Sequence, residues 1–150
     1  HTANRRQRQM CIRDSYKPDL PLNLTKYLLK FANSSIDVSD GLIDDLSKMI
    51  NRQTLSFHLF EKKIPVSKKL SNLIKKQRLN KINLISNGDD YQVLFTADVN
   101  KARIIQNASK ATGIKITKIG KIVSGKDRSL IFDEKGKQIQ AKSKGYIHQF

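Results

Sequence analysis

The stretch from Ser34 to Ile50 restricts this chain more than any other. Ser34 to Val38 reads as a short strand, Ser39 to Gly41 as a turn, and Leu42, Leu46, Met49 and Ile50 then repeat at helical spacing. A strand that feeds a helix through so short a turn sets the turn residues at the helix N-terminus, and Gly41 gives the backbone freedom there. Asp37 and Asp40 flank Ser39 at that point. Carboxylates alone repel phosphate, so the group has a chemical use chiefly with Mg²⁺ between them, the acids binding metal and the metal binding phosphate oxygens. The residues by themselves leave a second reading open, in which Asp40 or Ser39 merely caps the helix, a common arrangement worth about 1 kcal/mol. Asp44 and Asp45 are expected to complement the helix N-terminus.

The acids stand out because the rest of the chain is so basic. Net charge is +16 over 150 residues, and Asp37, Asp40, Asp44, Asp45, Asp89 and Asp90 supply six of the thirteen acids from two short motifs. Acid clusters on that background ask for a cation. The basic excess also suits nucleic acid, but the lysines are scattered in pairs such as Lys62-Lys63 and Lys75-Lys76, without RNA-binding aromatics or zinc spacing. Nucleic acid is therefore not the expected partner; a positive surface attracts nucleotides and phosphate esters equally well. Residues 1–15 are set apart from fold reasoning. Arg5 to Ser15 resembles a translated sequencing-adapter read and holds four of the eight arginines, the alternative being a disordered basic arm. No run approaches the roughly 20 apolar residues of a membrane span, and the single Cys11 agrees with a reducing compartment. A cytoplasmic location is expected.

The remaining pattern alternates helices with strands. Asn23 is expected to cap a helix through Tyr27, Leu28 and Phe31, and a helix follows from about 41 to 52. Strand signals cover Leu55 to Leu59 and Tyr91 to Thr96. Ser67 is expected to cap a helix through Leu70, Leu73 and Ile74. Asp98 to Thr112 reads as a helix with Ile104, Ile105 and Ala108 inward, stopped by Gly113. Ile114, Ile116 and Ile119 to Val123 suggest a strand kinked near Gly120, and 130–132 with 138–140 flank a hairpin turn. With 38% hydrophobic residues the chain can bury one ordinary core. The expected fold class is α/β, a layered sandwich with a mixed sheet and flanking helices.

Five motifs in order carry a family resemblance. Ile36-Asp37-Val38-Ser39-Asp40-Gly41-Leu42 with Asp45-Leu46 resembles the signature that opens the second domain of thiamine-monophosphate kinase. Asn87-Gly88-Asp89-Asp90-Tyr91-Gln92-Val93-Leu94-Phe95 resembles that family's Gly-Gly-Glu-Asp-Tyr-Glu-Leu-Leu-Phe block. Tyr16-Lys17-Pro18 with Pro21, Ile119-Gly120-Lys121-Ile122, and Gly145 to Phe150 complete the series. The likeness covers residues 16–150, implying a C-terminal domain of the aminoimidazole ribonucleotide synthetase-like superfamily whose N-terminal ATP- and Mg²⁺-binding domain is absent.

The resemblance implies transfer of the γ-phosphoryl of ATP to thiamine monophosphate, giving thiamine diphosphate, with Mg²⁺ required and a homodimer in the full-length family. Residues 16–150 alone are expected to show little or no such activity. It assigns Asp37 and Asp40 to Mg²⁺, Ser39 to the ATP phosphates, and Asp89 and Phe150, with Tyr146 as the weaker candidate, to the substrate. No general base is implied. Asp89 is one methylene shorter than the family's usual Glu, Asn87 replaces a glycine, and Gln92 replaces a Glu. His58 lacks a Cys or His partner at ligand spacing and is read as structural. A related enzyme with another acceptor, or a basic nucleic-acid-binding module, are the alternatives.

Overall fold

The computed structural model describes residues 22–50, 54–86, 92–126 and 129–139. Residues 1–21, with the adapter-like stretch and the Tyr16–Pro21 lead-in, lie outside the described residues, as do 51–53, 87–91, 127–128 and 140–150. The elements run α1 (Leu22–Phe31), β1 (Ala32–Val38), α2 (Leu42–Ile50), β2 (Leu55–Phe60), a 3₁₀ turn (Glu61–Lys63), α3 (Lys68–Gln77) and α4 (Lys81–Ile85). They continue through β3 (Gln92–Ala97), a second 3₁₀ turn (Val99–Lys101), α5 (Ala102–Thr112), β4 (Gly120–Ser124), β5 (Leu130–Phe132) and β6 (Gln138–Ile139).

Local chemistry accounts for most of these boundaries. The Ser67 side chain accepts the Leu70 N–H at 3.1 Å and starts α3 as expected, while Asn80 does the same for the Asn83 N–H at 3.2 Å and starts α4. The five residues of α4 are too few to show a helical period, which is why the apolar pattern did not announce them. The helix expected from Asp98 begins as 3₁₀, becomes α5 at Ala102 and ends at Gly113, φ 70°. Asn23 lies within α1 rather than before it.

Two further expectations are corrected. Ile104 is 39% exposed, because α5 turns Ile105 and Ala108 toward its neighbours and leaves Ile104 on the flank. Ile114 and Ile116 precede β4 without joining it; the strand starts at Gly120, where a Cβ would come within 2.4 Å of the His58 carbonyl oxygen.

The strands form two sheets. The four-stranded sheet has the order β4-β2-β5-β6, with β2 antiparallel to β4 and parallel to β5, so it is mixed as expected. β1 and β3 pair separately as an antiparallel ribbon. Which strands share a sheet depends on pairing across long stretches of sequence, to which local periodicity is blind.

The ribbon lies between two cores. On one side α2 sets Leu42, Ile43, Leu46 and Ile50 against Phe57 and Leu59 of β2, Ile131 of β5, and Ile82 and Ile85 of α4, with Val38 and Leu94 contributed by the ribbon. On the other side α1 and α5 pack Leu24, Phe31 and Ala108 together with Ala32 and Phe95. Adjacent residues of a strand face opposite ways, so Leu94 and Phe95 serve different cores. The same rule would put Ala32 and Val38 on one face, but a register shift between Ala32 and Ser34 reverses the sides. Among the described residues no helix is long and apolar enough to cross a membrane.

Candidate functional site

The site grows out of the end of β1. Val38 is buried and fixes the strand to the α2 core, which commits its neighbour Asp37 to the opposite face. Asp37 stands opposite Val93 in the ribbon and is exposed. Beyond Val38 the chain bends through Ser39 and Asp40, and Gly41 takes φ 121°. A Cβ on Gly41 would lie 2.4 Å from the Ser86 carbonyl oxygen, so only glycine lets the turn come this close to the end of α4.

A buried carboxylate organises the turn. Asp45 is 1% exposed, and its Oδ2 accepts the N–H groups of Ser39 at 2.9 Å, Asp40 at 2.9 Å and Gly41 at 3.2 Å. Three amides that point toward the helix N-terminus thus converge on one side-chain oxygen. Asp45 was expected to act on the helix end at large, and its reach back to the preceding turn is the more specific role. An acid in the first turn of a helix reaching back to amides before it is the logic of a capping box, shifted here by one residue.

Lys48 completes the group. Its ammonium bonds Asp40 closely and lies 2.9 Å from Asp44 Oδ2 and 3.3 Å from Asp45 Oδ1. Hydrogen bonds to Asp40 and then Asp44 hold the lysine well above its usual pKa, against the opposing effect of desolvation. One carboxylate oxygen from each of Asp40, Asp44 and Asp45 lies within 4.8 Å of the others. Sequence reasoning passed over Lys48, although Asp44 and Lys48 at i, i+4 are a standard helical ion-pair spacing.

The expected residues are therefore only partly brought together. Asp40 and Ser39 meet at the turn, whereas Asp37 leaves from the far side of the strand and is not in the Asp40–Asp44–Asp45 cluster. Asp89, Tyr146 and Phe150 lie outside the described residues. Both residues flanking the 87–91 segment nevertheless sit against the turn: Ser86 meets Gly41, and Gln92 stands opposite Val38 in the ribbon. His58 sits in β2 with its ring edge-on to Phe132 at 5.6 Å, in keeping with a structural role.

The donor set suits a hard cation. Carboxylate oxygens are the ligands Mg²⁺ takes, and with no imidazole or thiolate among the clustered groups a softer metal is poorly served. The position of the Lys48 ammonium marks the same place as favourable for positive charge.

No family model matches the chain. Curated relatives do. The thiamine-monophosphate kinase of Buchnera aphidicola subsp. Acyrthosiphon pisum is 36% identical over 125 residues, which is 81% of this chain and 37% of the relative. That of Caulobacter vibrioides is 27% identical over 135 residues, 88% of this chain and 38% of the relative. The chain thus spans little more than a third of the length of these relatives. Among solved structures, AaThiL complexed with AMPPCP and TMP matches with a TM-score of 0.67 and 27% identity over 92% of this chain and 40% of that one. The hydrogenase maturation protein HypE of E. coli, 14% identical with a TM-score of 0.63 over 79% of this chain and 38% of its own, shares the fold alone. In sequence and in fold, then, this chain is homologous to part of thiamine-monophosphate kinase and has the aminoimidazole ribonucleotide synthetase-like fold.

Proposed function

We propose that the chain contributes the strand-exit half of a phosphoryl-transfer site, at which ATP phosphorylates thiamine monophosphate to thiamine diphosphate. The observation that carries this reading is the exit of β1, where Asp37 is exposed, Ser39 and Asp40 are half-buried, and the residues on either side of the 87–91 segment lie close by, Ser86 against Gly41 and Gln92 opposite Val38. The relatives' name and the AMPPCP and TMP of the related complex supply the substrates.

In this reading Asp37 and Asp40 are Mg²⁺ ligands. When bound, Mg²⁺ offsets the repulsion between the two anionic phosphates. Ser39 offers its hydroxyl to the nucleotide phosphate, because its amide is already engaged by Asp45. Asp45 holds the turn and takes no part in the transfer. Asp89 and Phe150, with Tyr146 as the weaker choice, face thiamine monophosphate; an aromatic ring against a cationic thiazolium is worth about 0.5–2 kcal/mol. The attacking group is a phosphate-monoester oxygen, largely ionised at neutral pH with a second pKa near about 6, so the chain needs no side chain to remove a proton. The oxygen forms a bond to the γ-phosphorus of ATP as the bond to ADP breaks. The remainder of the nucleotide site and the homodimer belong to the further length that the relatives possess. In this reading the reaction takes place in the cytoplasm, a compartment that supplies ATP and Mg²⁺.

A chimera tests this. Residues 32–139 replace the matching stretch of the Buchnera relative, and thiamine diphosphate is measured by chromatography with ATP and thiamine monophosphate supplied. Turnover within about tenfold of the parent is expected, with Asp40→Asn or Asp37→Asn each lowering it by roughly 100-fold or more. A folded chimera that makes no thiamine diphosphate sinks the reading.

A further inference from the structure

Lys48 and a divalent cation would draw on the same oxygens. The ammonium lies among Asp40, Asp44 and Asp45, bonded most closely to Asp40, the acid assigned to Mg²⁺ above. We propose that Lys48 is a built-in competitor for the divalent cation at Asp40, occupying the carboxylate until a metal displaces it and so setting the Mg²⁺ concentration that the turn requires. The inference rests on the metal reading of Asp40.

The geometry suits exchange. Lys48 is attached to α2 by a flexible four-carbon stem and its side chain is 45% exposed, so the ammonium can leave for solvent without moving the helix. Asp45 stays fixed by the three amides, and the turn keeps its shape when Lys48 departs. Asp40 and Asp44 are 30% and 33% exposed, which leaves their oxygens reachable by an ion from solution. Once the ammonium is gone, the clustered carboxylates repel one another and gain more from an arriving cation. A lysine paired only with Asp44 along the helix would affect stability and alter metal affinity at Asp40 far less than one bonded to Asp40 itself.

The test is Mn²⁺ binding to the 150-residue chain, followed by the loss of the free-ion electron paramagnetic resonance signal, with Mg²⁺ added as competitor. Lys48→Met is expected to bind Mn²⁺ about tenfold more tightly, while Lys48→Arg, which keeps the charge, stays within about threefold of the parent. Lys48→Gln provides a second neutral variant, and circular dichroism checks that each is folded. Asp40→Asn introduced into Lys48→Met should abolish the gain. If the parent binds Mn²⁺ and both folded neutral variants bind no more tightly, competition by Lys48 is refuted and the metal reading of Asp40 survives. If neither the parent nor the neutral variants bind Mn²⁺, both fail together.

Discussion

Asp45 has no exposure to speak of, yet it governs the turn. Its Oδ2 satisfies three backbone donors that the strand-to-helix transition would otherwise leave without partners, and hydrogen bonds to a charged group contribute about 1.5–3 kcal/mol each. Asp45→Ala should lower stability by roughly 2–4 kcal/mol in urea unfolding, because it leaves one buried and two part-buried amides without the acceptor they share. Asp45→Asn should cost less, since its amide oxygen still accepts. Asp40→Asn, at a part-exposed position, should change stability by less than about 1 kcal/mol. That contrast separates the acid that shapes the turn from the acid proposed to use it. The sequence already set Asp45 apart as a residue of the helix N-terminus, but its burial and its three amide partners, which make it the organiser of the turn, appear only once the chain is folded.

At the scale of elements, the contact between Gly41 and the last turn of α4 joins two motifs that are 45 residues apart in the chain. Gly41→Ala puts a methyl into the Ser86 carbonyl at a φ that L side chains avoid, and should destabilise by more than about 2 kcal/mol. Two-dimensional NMR should also show the largest shifts at Ser86 and Gln92, rather than along α2. The strand read over 34–38, its turn and the helix read from about 41 were legible in advance because apolar spacing, a glycine and a polar turn all agreed, although the strand itself begins two residues earlier, at Ala32. The β1–β3 pairing was not, since a strand's partner is chosen by packing on both its faces. Ile104 was misplaced for a related reason: a helix with three apolar residues in reach of one face need not bury all of them.

The whole molecule carries a net charge of +16, and this excess acts against compactness. Raising NaCl from about 10 mM to about 150 mM shortens the screening length from roughly 30 Å to 8 Å. The melting temperature should rise by a few degrees over that range. Calorimetry that shows no change, or a fall, would mean that local attractions such as those of Lys48 outweigh the general repulsion. Composition alone announced the excess of positive charge, but not that carboxylates and one lysine would settle into a compact knot at the mouth of β1. That arrangement required the helix to bring residues 44, 45 and 48 back over the turn.

β1 has one buried face and one open face. From Ser34 to Val38 the inward positions alternate with exposed Ser35 and Asp37, and the irregularity near Ala32 turns that residue toward the other core. Point substitutions can therefore drift along this strand one at a time, whereas inserting or deleting a single residue beyond Ser34 would exchange inside for outside at every later position, driving Asp37 into hydrocarbon and Val38 into water. Strand length here is inherited as a fixed quantity, and the chemistry at its tip inherits the same rigidity.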